Sequence, residues 1–168
     1  MLETLITSKT RLRLLIKFFV NLANDGYLNG LANEFGESTN SIRKELNNLA
    51  GAGYLKKRFC DNKVIYNADK NHPLLLNIQN LVRKHLGIEN IIETVCENIG
   101  EFEKIILLDD YSKGIDSGTI KVLILGENIN QDYLENIKLK IEKKINRKII
   151  ISVSNEMPKK NYLVVFGE

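Results

Sequence analysis

Residues 31–55, LANEFGESTNSIRKELNNLAGAGYL, carry the reading of this chain. Gly36 interrupts an apolar-spaced segment and supplies the backbone freedom that a tight turn requires. Two residues later Ser38 stands where an N-cap is favoured, and Ile42, Leu46 and Leu49 then recur at helical spacing. The stretch predicts two short helices joined by a sharp turn. The first runs over about Tyr27–Phe35 and buries Leu28, Leu31, Ala32 and Phe35; the second runs over about Thr39–Ala50.

Upstream, residues 8–24 place Leu12, Leu15, Ile16, Phe19, Val20 and Ala23 on one side of a helix and Lys9, Arg13, Lys17 and Asn24 on the other, with Asp25-Gly26 ending it. Downstream, Tyr54–Phe59 and Val64–Asn67 are β-rich runs around a polar Asp-Asn turn, which predicts a hairpin. Pro73 then opens a helix that continues to Leu86, and another follows from about Glu89 to Ile99. From Glu103 the pattern changes to strand-like runs at 104–108, 120–125, 148–153 and 162–166, with a polar, Gly-containing loop after the first and a helix over 131–145. The fold class is therefore α+β. Three helices and a hairpin make residues 1–70 a winged helix-turn-helix, 71–100 a helical connector with dimerisation helices, and 101–168 a small α/β domain.

Charge adds a direction. Residues 1–70 hold 11 Lys and Arg against 7 Asp and Glu, whereas 101–168 hold 11 against 11, so the positive balance lies in the N-terminal part. Cys60 and Cys96 are the only cysteines, too isolated for a disulfide framework, and reduced thiols are expected. With no leader-like N-terminus and no apolar run of membrane-spanning length, a cytoplasmic protein without membrane partners is expected.

The run Leu31-Ala32, Phe35-Gly36, Ser38, Ile42, Leu46, Leu49 and Gly53-Tyr54-Leu55 resembles the arsenic-repressor-like (ArsR-like) bacterial winged-helix regulators over about 60 residues. The resemblance implies a transcriptional regulator whose third helix enters the major groove of double-stranded DNA while the wing touches flanking phosphates. Geometry selects the readers. At about 100° per residue, the face opposite Ile42, Leu46 and Leu49 carries Asn40, Lys44 and Asn47, flanked by Ser41, Arg43 and Asn48, with Thr39 at the helix start. Asn and Arg make bidentate contacts to adenine and guanine, while Ser and Lys hold phosphates. The wing adds Lys56, Lys57, Arg58 and Lys63. Apolar surface on the first helix, including Phe18 and Phe19 with Leu2, Leu5 and Ile6 before it, and on the helix at 73–86 exceeds what one winged helix covers, which predicts a homodimer.

Some relatives of such regulators sense metals through clustered Cys and His, but His72, His85, Cys60 and Cys96 are scattered without ligand spacing, so no metal site and no cofactor are expected. In the C-terminal part, Leu108–Gly114 followed by Asp116–Ile124 looks like the start of a polymerase-beta-type nucleotidyltransferase domain. Catalysis in that superfamily needs a Gly-Ser turn for phosphate and an Asp-x-Asp pair for magnesium. Asp109 and Asp110 occupy the first place; Gly118 and Ile120, or Thr119 and Lys121, occupy the second. The likeness implies an inactive copy of that fold, kept for a small-molecule effector or for dimer contacts. Asp109, Asp110 and Asp116 read as polar turn residues before they read as a metal cluster. Two rival classes stand beside a regulator: a nucleotidyltransferase-type enzyme or nucleotide-binding protein with an accessory winged helix, and a winged helix used only for protein contacts.

Overall fold

The computed structural model describes residues 2–167, the side chain of Asn98 excepted. The fold is α+β, in two compact units, Met1–Val82 and Arg83–Glu168. A 3-10 turn at Leu2–Thr4 precedes α1 (Lys9–Phe19), β1 (Asp25–Tyr27), α2 (Leu28–Phe35), α3 (Thr39–Gly51), β2 (Leu55–Cys60) and β3 (Lys63–Ala68). The following helix, α4 (Leu75–Leu86), contains the boundary between the units.

Local chemistry accounts for these limits. Ser8 Oγ accepts from Arg11 N–H at 3.2 Å and Ser38 Oγ from Ser41 N–H at 3.3 Å, so α1 and α3 each begin on a side-chain cap. Gly36 ends α2 in the left-handed region, φ 63°, and Glu37 N–H donates to Ala32 O. The first helix is shorter than its periodicity suggests. Asn24 Nδ2 donates to Lys17 O and Asn21 Oδ1 accepts from Ala23 N–H, drawing the chain out of the helix. Ala23 is accordingly exposed, and Asp25–Tyr27 is a strand, paired antiparallel with β3 from Asp25↔Asn67 to Tyr27↔Ile65. In the hairpin, Asp61 (φ 47°) and Asn62 (φ 60°) both take the left-handed conformation, the two-residue turn whose twist matches paired strands.

The first unit's core joins Leu12, Leu14, Ile16, Phe18 and Phe19 of α1 to Leu31, Ile42, Leu46, Leu49 and Leu55. Two expectations are corrected here. Phe18, Phe19 and Leu2 are buried rather than spare surface, and Lys17 is buried with its Nζ 2.9 Å from Glu34 Oε2. Helix α1 thus buries more than the single stripe its periodicity displays, and its lysine lays an aliphatic stem along the core while the ammonium finds a carboxylate.

The second unit contains α5 (Ile88–Asn98), β4 (Lys104–Leu108), α6 (Asp109–Ser112), β5 (Thr119–Leu125), α7 (Gln131–Ile145), β6 (Lys148–Ser154) and β7 (Tyr162–Phe166). The sheet order is β6-β5-β4-β7, with β5 and β6 parallel and joined through α7, and the other pairs antiparallel. Alternation and register put Ile105, Leu107, Val122, Ile124, Ile120 and Ile149 on one face, all buried, with Ile91, Val95, Ile137 and Ile141 of α5 and α7 also in the core. Asp109–Ser112 is a short helix where the sequence predicts a loop, because Tyr111 and Ser112 turn into the core.

Gly87 begins α5 with φ +80°, and a Cβ placed there would lie 2.3 Å from Ile145 Cγ2. Gly87→Ala is expected to destabilise the second unit by about 1–3 kcal/mol through backbone strain and overpacking. Urea unfolding followed by circular dichroism measures this; an unchanged midpoint would show that Ile145 moves aside freely.

Candidate nucleic-acid interface

Helix α3 is oriented by what it buries. Ile42, Leu46 and Leu49 are buried, and so is Glu45, one turn along the same stripe. Ser8 Oγ donates to Glu45 Oε1 and Arg11 Nε to Glu45 Oε2, each at 2.8 Å, so the carboxylate pins α3 to the first turn of α1. Burial alone would raise the Glu45 pKa, but the hydrogen bonds from Arg11 and Ser8 outweigh it and hold the carboxyl below its usual range. Around the same helix pair, Arg13 Nη1 meets Glu37 Oε1 at 2.6 Å and Thr10 Oγ1 donates to Glu37 Oε2.

With those residues inward, Thr39, Asn40, Ser41, Arg43, Lys44, Asn47 and Asn48 all lie exposed on α3. Asn40 Oδ1 accepts from Arg43 Nη1 at 3.2 Å, orienting the guanidinium along the helix. The wing's Lys56, Lys57, Arg58 and Lys63 are exposed as well, though they are not equivalent. Lys56 Nζ lies 2.9 Å from Asp69 and Arg58 Nη2 2.6 Å from Asp25, so carboxylates already meet these two cations. Lys57 and Lys63 instead hold their ammonium groups 5.6 Å from the Tyr66 ring centroid and 4.4 Å from that of Tyr27. An aromatic face positions a cation without neutralising it. Lys57 and Lys63 are the wing charges best placed to meet an anion.

Helix and wing share one cleft of about 350 Å³, in which Arg43 and Asn47 of α3 face Asn62, Lys63 and Val64 of the wing, with Tyr27 at the base of α2. Of the residues singled out in the sequence, it brings together Arg43, Asn47 and Lys63. Asn48 lies elsewhere: it lines a second, more apolar groove of about 440 Å³ with Arg11, Leu15, Leu49, Ile78 and Leu81.

The chain is similar to one solved repressor. That structure is the crystal structure of the AntR antimony-specific transcriptional repressor, with 24% sequence identity, coverage of 57% of this chain and 78% of that one, and a TM-score of 0.39. No family model matches the sequence, and no curated protein matches it.

In the second unit two of the three carboxylates singled out in the sequence, Asp109 and Asp116, are engaged by the chain's own cations, while Asp110 is exposed. Asp109 Oδ2 lies 2.9 Å from Lys121 Nζ, and that ion pair holds the Asp109 carboxyl below its usual range. Asp116 accepts from Arg147 Nε at 2.9 Å and Nη2 at 2.6 Å, and from the buried Tyr111 hydroxyl. Arg147 Nη1 also reaches His85 O and Ile145 O. Burial pulls the Asp116 pKa up, yet the Arg147 and Tyr111 hydrogen bonds bring it below the ordinary carboxylate value, while burial and Asp116 together push Tyr111 well above a normal phenol. Among the described residues, no group of three or more His, Cys, Asp or Glu is arranged to hold a metal ion, and no helix is long and apolar enough to cross a membrane.

Sequence reasoning missed Tyr27, Asn62 and Glu45. Glu45 was findable, since 42, 45, 46 and 49 form one helical stripe. Tyr27 was not, because its place in the cleft follows from pairing with Ile65, nearly forty residues away.

Proposed function

We propose that this chain is a sequence-specific DNA-binding regulator of transcription, acting in the cytoplasm with α3 in the major groove of a duplex and the wing on flanking phosphates. The observation that carries the reading is the cleft in which Arg43 and Asn47, two donors of base-reading type, stand across from Lys63 of the wing. Thr39, Asn40, Ser41 and Lys44 extend the polar face along the groove, and Lys57 adds a phosphate contact. Residues 1–70 form the DNA-binding part, 71–100 the connecting and pairing helices, and 101–168 a non-catalytic, nucleotidyltransferase-like part that serves an effector or assembly. Selection of duplexes from a random pool, followed by titration at several salt concentrations, tests it. Enrichment of one sequence with affinity falling steeply in salt is expected; affinity for no duplex would refute it and leave the winged helix to protein contacts.

The protein acts as a homodimer in this reading. Leu5 is 79% exposed and Leu81 40%, beside the apolar groove that Leu15, Ile78 and Leu81 line. With Phe18 and Phe19 inside the core, the pairing surface is narrower than the sequence suggests: the first turns of the chain and the outer face of α4. Two subunits about a twofold axis present two copies of α3 to half-sites about one helical turn apart. Sedimentation at micromolar concentration should give twice the chain mass for the wild type and a monomer for Leu5→Asp with Leu81→Asp. A monomeric wild type whose DNA complex holds one subunit would end this part of the proposal.

An inactive C-terminal part follows from charge. Gly118 and Ile120, or Thr119 and Lys121 in the other register, stand where the nucleotidyltransferase pattern needs carboxylates, and the Lys121 ammonium pairs with Asp109. A cation at Lys121 and a carboxylate already paired with it leave Asp110 without a second carboxylate free to share a magnesium ion. Labelled nucleotide with magnesium should transfer to no acceptor; metal-dependent transfer abolished by Asp110→Asn would establish the enzyme instead.

A further inference from the structure

Phe59 is 85% exposed, more than any other large apolar side chain among the described residues. It sits in β2 directly opposite Val64, and strand alternation places it on the face that also carries Lys57 and, across from Lys57, Tyr66. Val64 and Tyr66 line the cleft with Arg43 and Asn47. The wing therefore turns Phe59's face toward α3, and on that face Phe59 stands one pair farther out than Tyr66, past the buried part of the sheet and next to the hairpin turn.

A single exposed apolar side chain is ordinary on a protein surface, so exposure alone assigns Phe59 nothing. Its surroundings point to a partner. Lys57 shares its face, Lys63 lies across the hairpin and Arg58, already met by Asp25, precedes it in the strand; Asp61 is the one acid in the adjoining turn, and on its own face the strand partner is the half-buried Val64. One ring among cations is far too small an apolar patch for a stable protein interface. An apolar or aromatic wedge flanked by phosphate-neutralising cations does suit a nucleic-acid groove, where it packs on sugars and prises at a base step.

We propose that Phe59 is a direct DNA contact, an apolar ring that the hairpin lays on the duplex beside the site that α3 reads. The proposal rests on the duplex-binding reading above and adds to it an apolar contact that charge counting does not supply. Lysines contribute through counterion release, so their share falls with salt; the ring's share does not.

The chain contains no tryptophan, so Phe59→Trp installs a single fluorescent reporter at the proposed contact. With a duplex recovered by selection from a random-sequence pool, Phe59→Trp should bind like the wild type, and its emission should be quenched and shielded from acrylamide. Phe59→Ala should melt at the wild-type temperature yet bind about tenfold more weakly, an effect of the size expected for removing one aromatic ring from a nucleic-acid interface. The slope of log affinity against log salt should not change. Wild-type binding with equal affinity for Phe59→Ala, or with Phe59→Trp still open to acrylamide, would overturn the contact and leave the DNA-binding reading intact. Shielding without DNA that grows with protein concentration would overturn it in favour of a contact between copies. No duplex binding by the wild type would remove the proposal together with the reading beneath it.

Discussion

Replacing Arg43 and Asn47 by Ala should erase most of the preference for a selected duplex over random DNA, at about 1–3 kcal/mol for each bidentate hydrogen-bonded pairing with a base. Both side chains are exposed on α3, opposite Ile42, Leu46 and Leu49, so the variant keeps its core and its melting temperature. Lys57→Ala and Lys63→Ala should behave differently, weakening selected and random duplexes alike and lowering the salt slope by about one for each phosphate no longer neutralised. Lys56→Ala and Arg58→Ala should do less, because Asp69 and Asp25 already meet those charges. Competition titrations at two salt concentrations separate the classes. An equal weakening on both kinds of duplex for every variant would mean that α3 does not read sequence.

Arg147→Ala should destabilise the second unit by about 1–3 kcal/mol, because it strands a partly buried carboxylate that has lost its bidentate partner. Side chains of Arg147 and Asp116 are 14% and 27% exposed, so solvent screens part of their bidentate attraction. The pH dependence follows from the direction of the Asp116 shift. Its folded pKa lies below the ordinary 3.8, so its contribution is complete above that value and is lost as pH falls through the depressed folded value. Asp116→Asn should flatten this acid limb, and urea unfolding from neutral pH down to strong acid measures it. An acid limb as steep in Asp116→Asn as in the wild type would assign the loss to other carboxylates.

The placement of α3 and of the hairpin, which frame the candidate interface, was legible in the sequence where the pattern is local. Ser38, Ile42, Leu46 and Leu49 fix the start and rotation of α3 within a dozen residues, and Asp61-Asn62 fixes the hairpin turn. Features set by distant partners were not legible. Asp25-Gly26 reads as a helix terminator and is also a strand because Asn67 and Tyr66 lie beside it. Phe18 and Phe19 extend the buried side of α1 beyond one stripe, so binary patterning overstated the free apolar surface. The wing lysines look alike along the chain; only folding shows that Asp69 takes one while Tyr66 and Tyr27 hold two others. The helix at Asp109–Ser112, where the sequence predicts a loop, has a similar reason, since the buried Tyr111 reaches Asp116 and Gly118 N–H beyond it with its hydroxyl.

Arg11 serves two neighbours at once. Its Nε holds Glu45, the buried acid that pins α3, while the same side chain lines the groove beside Leu15, Ile78 and Leu81. Whatever fills that groove touches the side chain that tethers α3, and any coupling that results runs equally in both directions. If the occupant is a second copy and α3 binds DNA as proposed, seating on DNA tightens the pair by whatever factor pairing tightens the grip on DNA. Occupancy then rises with more than the first power of protein concentration, so a modest change in copy number acts as a threshold rather than a dial.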